Sequence, residues 1–558
     1  MQVVTTAEMR RLEAAADAAG HTYANMMAAA GLAVAEAVRA RLAPDGAARI
    51  LLLIGPGNNG GDGLVAARYL QEWGHECTLY IWQRSETADP LLVRAQSVGI
   101  VTVWAAEDKD QQRLAILARE CEVLVDALLG TGAKGPLRGT LPDLLAAVGE
   151  GLRERGAPAP ERFTRIGGLP PEHGPAGRPL VVALDGPSGL DFDSGEIDDL
   201  ALWADLTVTF AYPKPGQFAY PGAARVGELL VADIGLDPAL GADTPLQVAT
   251  HQMVRDLLPE RAPDAHKGSF GKALVVGGSP NYIGAPCLAA EGAYRVGAGL
   301  VTLGVAERIQ PTVAGHVTEA TYLLLPHDLG ALTEAALRVL AEEIGGYDAL
   351  LVGPGMGREE HTGEFLRGLL QGGRPSSRRA VGFAAREEAH PPHKIDLPPT
   401  VLDADALNLL AEQGSWWEGA PRETVVTPHP GEMARLTGKT IAEVQGDRVG
   451  IARAQAAQWG VTVLLKGAHS IVAAPDGRAT IIPYANALMA SAGTGDVLAG
   501  AVVGLMAQGL SAYHAAICGA YLHSLAGEYR RREIGAAGLL AGDLLPLLPR
   551  ALRALRGA

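Results

Sequence analysis

Cysteine is scarce in this chain. Four occur among 558 residues, Cys77, Cys121, Cys287 and Cys518. They lie far apart with no CxxC pair, which excludes a disulfide frame and a cysteine zinc site and marks them as small apolar residues of a reducing compartment. Long hydrophobic runs are missing too: nothing approaches the ~20 uncharged apolar residues of a membrane span. Met1 to Arg10 lacks the apolar core of a signal peptide, so a cytoplasmic protein with no membrane partner is expected. Basic clusters are also missing, and the net charge is -15. A nucleic-acid backbone or an anionic membrane needs Lys/Arg contacts that this chain does not gather, so no nucleic-acid partner is expected. Any anionic ligand must be held by backbone dipoles and a few local cations.

What is present is 48% hydrophobic residues, enough for globular packing, in a length that implies roughly two to four domains. Periodicity fades through Asp237–Thr250, and a boundary near residue 245 divides the chain into 1–245 and 246–558. Thr5-Thr-Ala-Glu8 has capping-box spacing and opens a helical segment resumed at Tyr23. Arg49–Gly55 is apolar without alternation, as a buried parallel strand is. Gly55-Pro-Gly-Asn-Asn-Gly-Gly-Asp-Gly63 follows as a glycine-dense turn, with a helical period from Leu64 to Trp73. Strand, turn and helix form the first βα unit of a doubly wound sheet, whose ligands bind at strand carboxyl ends. Asp126, Asp185 and Lys214 fall at the ends of later strands. One aspartate there is often a turn former; several at one edge point to a pocket.

In the second half the turn at Ser491-Ala-Gly-Thr-Gly-Asp-Val-Leu-Ala-Gly500 surrounds one carboxylate with small residues and leads into an apolar, glycine-spaced run. It reads as a turn into a buried helix whose unpartnered N–H groups attract an anion. Asp496 is placed as a base toward an attacking hydroxyl. Alone, a packed turn without ligand explains it equally well. Upstream, Val425-Val-Thr-Pro-His-Pro-Gly-Glu432 sets His429 on a proline-rigidified loop, and Gly467-Ala-His-Ser470 reads as a turn with free backbone amides.

These motifs carry two resemblances. Gly-Pro-Gly-Asn-Asn-Gly-Gly-Asp-Gly, Asp-Ala-Leu-Leu-Gly-Thr-Gly and Asp-Gly-Pro-Ser-Gly-Leu-Asp, over about residues 1–240, resemble the NAD(P)H-hydrate epimerase family. That implies a Rossmann-like fold interconverting R and S forms of hydrated NADH and NADPH (NADHX and NADPHX). It implies that Asn58, Asn59, Gly60, Gly61 and Asp62 hold the nucleotide with the loop Gly130, Thr131, Gly132, Ala133, Lys134, Gly135 and Pro136. Asn59, Asp126 and Ser188 would supply oxygens to potassium (K+), and Asp185 would touch the hydrated nicotinamide as a catalytic carboxylate. Lys214 reads either as an acid or charge partner in that site or as a solvated loop lysine. Gly151–Arg178 departs from the pattern as an inserted surface loop.

Gly-Pro-Gly-Met-Gly, Asp-Ala-Asp-Ala-Leu, His-Pro-Gly-Glu, Lys-Gly-Ala and Gly-Thr-Gly-Asp, over about residues 250–555, are similar to the ribokinase-like superfamily and within it to the ADP- or ATP-dependent NAD(P)H-hydrate dehydratases. The resemblance implies that Lys466, Gly467, Ala468, His469, Ser470 and Gly495 bind ADP or ATP with magnesium (Mg2+). Ala285, Gly355, His429 and Asp496 would face the hydrated dinucleotide, with Asp496 and His429 catalytic. Arg374–Leu397 reads as a surface insertion. The expected fold class is therefore α/β, a Rossmann-like doubly wound domain followed by a ribokinase-like domain, in a homo-oligomer of open stoichiometry. The expected activity is epimerisation of NAD(P)HX and dehydration of its S form. A small-alcohol kinase carrying a non-catalytic amino-terminal binding module is the other reading.

Overall fold

The computed structural model describes residues 1–43, 46–84, 89–132, 135–156, 178–241, 244–371 and 395–557. Ala133, Lys134 and most of the two expected insertions lie outside these residues. The helix Leu141–Gly156 runs past Gly151, where a surface loop was expected to begin. The chain forms two compact units, Met1–Thr244 and Pro245–Ala558. Among the described residues no helix is long and apolar enough to cross a membrane.

In the first unit, seven strands form a fully parallel sheet: β1 Arg49–Ile54, β2 Glu76–Ile81, β3 Val101–Trp104, β4 Val123–Ala127, β5 Leu180–Leu184, β6 Leu206–Phe210 and β7 Glu228–Ala232, in the order 3-2-1-4-5-6-7. Unbroken apolar strands suit such a sheet because both faces are covered. Ile50, Leu52 and Ile54 point into one core layer and Leu51 and Leu53 into the other. Four helices supply residues to the cavity of this unit: α1 Thr6–Ala18, opened by the Thr5/Glu8 capping box, α2 Tyr23–Arg39, α3 Asn58–Glu72 and α4 Pro90–Ser97. The strand order reverses between β1 and β4, so a crevice opens at their carboxyl ends.

The glycine-dense segment differs from the turn expected there. Helix α3 already begins at Asn58, so Gly60, Gly61 and Gly63 are helical. A Cβ on Gly60 would lie 2.0 Å from Gly55 O, and one on Gly63 2.7 Å from Ala127 Cβ. Tight seating on the strands outweighs the ~1 kcal/mol that glycine costs a helix.

The second unit centres on a ten-stranded sheet. Its parallel part runs Thr321–Leu325, Leu300–Ala306, Lys272–Val276, Ala349–Val352, Thr400–Leu402, Thr424–Val426, Thr462–Leu465. Ile471–Ala473 and Ala479–Ile481 continue it antiparallel, and Leu246–Val248 closes that edge. Two helices run side by side in the same sense along a glycine seam, Gly284–Arg295 and Thr494–Ala507. A Cβ on Gly500 would lie 2.0 Å from Ala289 O and one on Gly504 2.7 Å from Ala293 O, so the seam admits no side chain.

Candidate active sites

In the first unit Asp126 is the next-to-last residue of β4 and has no exposed surface. It accepts from Ser188 Oγ at 2.6 Å, Ser188 N–H at 2.8 Å and Leu128 N–H at 3.3 Å. Ser188 Oγ accepts from Leu129 N–H at 3.0 Å, and Asn59 Nδ2 donates to Leu129 O at 2.9 Å. Asn59, Asp126 and Ser188 therefore meet around one turn. Burial pushes the Asp126 carboxyl up, and among the described residues no cationic side chain opposes this. An all-oxygen set with one carboxylate lacking a counter-ion fits a hard monovalent cation.

Asp185 follows β5 with φ 62, a left-handed conformation that side-chain-bearing residues seldom take. Its Oδ1 accepts from Lys214 Nζ at 2.6 Å and Thr209 Oγ1 at 2.7 Å. Its carbonyl accepts from Gln217 Nε2 at 2.6 Å, and Gln217 Oε1 takes Lys214 N–H at 2.8 Å. Lys214 is 1% exposed, a buried partner rather than a solvated loop lysine. A cavity of about 710 Å3 lined by Glu13, Asn58, Asp62 and Phe210 meets this group at Phe210, whose carbonyl accepts from Lys214 Nζ at 3.4 Å. Burial first, then Asp185 and Glu13, holds the Asp62 carboxyl well above the usual range. Sequence reasoning placed Asp62 but missed Glu13, which no motif marks. Gly57 opens α3 without a side-chain cap, leaving backbone N–H groups of the first turn toward the crevice.

In the second unit Gly493, with φ 87, caps the buried helix Thr494–Ala507, so Gly495 and Asp496 lie in its first turn. Asp403, 1% exposed after Thr400–Leu402, accepts from Thr427 Oγ1 at 2.6 Å and from Lys466 Nζ at 2.8 Å. Glu432 Oε2 stands 3.8 Å from Lys466 Nζ. Burial would lower the Lys466 pKa, but Asp403 and Glu432 outweigh it and raise it. A Cβ on Gly495 would lie 3.5 Å from the same ammonium. Burial, with Asp403 adding to it, pushes the Asp496 carboxyl up to about 7.

His429 ends the short loop 427–429, as expected, and the loop is fixed at that end. It caps the helix Pro430–Thr437, taking Gly431 N–H on Nδ1 at 3.0 Å, while its own N–H donates to Glu432 Oε2 at 2.8 Å. Burial and then Lys466 lower its pKa, so the ring is neutral at physiological pH. Ala285 and Gly355 are neighbours: a Cβ on Gly355 would lie 3.0 Å from Ala285 Cβ. The free amides expected at Gly467–Ser470 are partly used. Gly467 N–H donates to Ser470 Oγ at 3.2 Å and His469 N–H to Tyr484 O at 2.9 Å. Two supports lay beyond sequence reasoning. Arg448 donates to Leu465 O and Lys466 O, both at 3.2 Å, and His523 Nε2 lies 2.9 Å from Thr494 O behind the helix start.

A family model described as NAD(P)H-hydrate dehydratase matches residues 273–550, and one described as YjeF-related protein N-terminus matches residues 23–216. The bifunctional NAD(P)H-hydrate repair enzyme Nnr of Moorella thermoacetica is 38% identical, covering 99% of this chain and 97% of that protein. The protein of the same name from Escherichia coli is 32% identical, covering 96% and 91%. Among solved structures, the ADP/ATP-dependent NAD(P)H-hydrate dehydratase from Bacillus subtilis co-crystallised with ATP/Mg2+ is 31% identical with a TM-score of 0.45, covering 55% of this chain and 98% of that one.

Proposed function

The chain belongs to the family of bifunctional NAD(P)H-hydrate repair enzymes, and from that we propose how its two units divide the repair. The protein epimerises hydrated nicotinamide nucleotides and dehydrates them to NAD(P)H. We assign epimerisation to Met1–Thr244 and dehydration of the S epimer to Pro245–Ala558, the ribokinase-like unit. Relatives matched over their whole length are bifunctional, so the small-alcohol kinase with a non-catalytic module falls away.

One observation carries the dehydratase assignment: a carboxyl with affinity for a proton near neutrality, Asp496, sits in the first turn of a buried helix beside the Lys466 ammonium. Water at C6 of a reduced nicotinamide leaves a hydroxyl next to the ring nitrogen, a poor leaving group. Asp496 takes its proton as the oxygen attacks the terminal phosphoryl of ADP or ATP, and the helix N–H groups and Lys466 meet the transferring charge. Phosphate then leaves as the nitrogen lone pair pushes, and loss of the C5 proton restores the ring. Ala285, Gly355 and the neutral His429 line the acceptor side, and Lys466–Ser470 with Gly495 the nucleotide side. Magnesium would supply charge neutralisation at the phosphoryl. Among the described residues no three His, Cys, Asp or Glu side chains gather into a cage, which fits an ion carried on the nucleotide phosphates.

In the first unit the substrate lies against the α3 start and the Gly130–Pro136 loop. Asp185, its Oδ1 held by Lys214 and Thr209, presents Oδ2 to the hydrated ring. Potassium, held by Asn59, Asp126 and Ser188, would fix the turn that carries them. The test mixes the full chain with both epimers of NADHX, ADP or ATP and magnesium, following the dihydronicotinamide absorbance. Both epimers should be recovered. Recovery of one alone removes the epimerase assignment, and no recovery removes the dehydratase; the faster donor identifies the phosphoryl source.

A further inference from the structure

Helix α1 precedes both matched family segments, which begin at residues 23 and 273, yet it is tied to the epimerase site at two points. Thr6 N–H and Oγ1 donate to Asp193 Oδ1 and Oδ2 at 2.8 and 2.7 Å, on the loop that leaves Asp185. Arg10 Nη2 donates to Thr131 O at 3.2 Å, on the loop assigned to the nucleotide. Glu13 stands one turn further on, the same side of the helix by i,i+3 spacing. It lines the cavity that Asn58 and Asp62 line from α3. The groups facing Glu13 are Lys214 and Asp185 from the sheet edge, Arg10 from its own helix, and Asp62 from α3.

We infer that α1 completes the epimerase site, with Glu13 and Asp62 as the two carboxyls that pass the proton of the C6 hydroxyl. The inference rests on the epimerase reading above and adds the groups that do its acid–base work. Asp185 suits that work less, since its Oδ1 already takes two donors. Glu13 and Asp62 both hold protons more readily than ordinary carboxyls, burial being the largest cause for each. Both line one cavity, and Glu13 adds to the rise of the Asp62 carboxyl, which favours one protonated and one ionised member.

The step balances without an oxidant. One carboxyl gives its proton to the C6 hydroxyl; the C6–O bond breaks, water leaves, and the nitrogen lone pair forms a C=N bond. Water then adds to the other face of C6, the C–O bond forms, the C=N electrons return to nitrogen, and the released proton goes to the other carboxylate. Turnover in the reverse sense resets the pair.

The test follows separated R-NADHX by chromatography on the full chain, with no phosphoryl donor so that dehydration cannot run. Glu13→Gln should lower kcat for epimer exchange by about 100-fold or more, the usual worth of one acid–base group, with KM near the parent value. The pH profile should lose one limb, and Glu13→Asp should restore part of the rate. Arg10→Ala should raise KM instead. A Glu13→Gln variant that exchanges epimers at the parent rate while Asp185→Asn is inactive overturns the inference and leaves the epimerase reading standing. A loss carried in KM, or one accompanied by a lowered melting temperature of the first unit, reduces Glu13 to a structural group and overturns it too. A parent chain that exchanges no epimers removes the reading itself.

Discussion

Asp496 and Lys214 show the same physics with opposite outcomes. Asp496 lies in a cluster richer in carboxylates than in cations, so burial and Asp403 raise its pKa to about 7. A base works only when ionised, so kcat/KM for dehydration, which reports the free enzyme, should fall tenfold per unit below about pH 7 and level off above it. A profile flat from pH 5 to 8 would deny Asp496 that role. Lys214 has its counter-ion at 2.6 Å. Lys214→Met leaves Asp185 buried without it and should destabilise the first unit by about 3–5 kcal/mol, read from urea unfolding followed in that unit. A stability change near zero would mean that Thr209 alone satisfies Asp185. Pro-Lys-Pro in a sequence reads as well as a solvated loop; the fold decides for the charge partner by burying Lys214 against Asp185, 29 residues away.

At the scale of elements, the seam between Gly284–Arg295 and Thr494–Ala507 gives the sharpest prediction. Gly500→Val should lower the melting temperature of the second unit and cost at least about 1–3 kcal/mol, the usual penalty of overpacking, because Ala289 O leaves no room. An unshifted transition would show that the helices can part freely. The parallel strands were legible because burial on both faces writes itself as unbroken apolar runs, Arg49–Ile54 above all. The start of α3 was not, since glycines read as a turn until the strand they pack on is known. Neither was the pairing of Lys466 with Asp403, 63 residues apart, nor the use of Gly467 N–H by Ser470. Sequence motifs located the turns; long-range partners decided which of their atoms were free.

For the whole molecule, two units acting on one pool of substrate predict independence. Asp185→Asn should stop enzyme-driven epimer exchange yet still dehydrate S-NADHX, and Asp496→Asn should do the reverse. Mixing the two variants should restore recovery of both epimers, since the epimer exchanged at one site can diffuse to the other. If the mixture fails while each variant keeps its remaining activity, transfer must occur within one chain. The acidic balance of the sequence has its answer here as well. The seam holds two helix starts, at Gly284 and at Thr494, side by side and aimed the same way, and each carries roughly half a positive charge. In the proposed dehydratase site, these main-chain ends would share the grip on a polyphosphate with Lys466. Trimming Lys466 would remove its share alone, whereas a residue too bulky for Gly500 would spread both ends and weaken the main-chain share without touching the ligand.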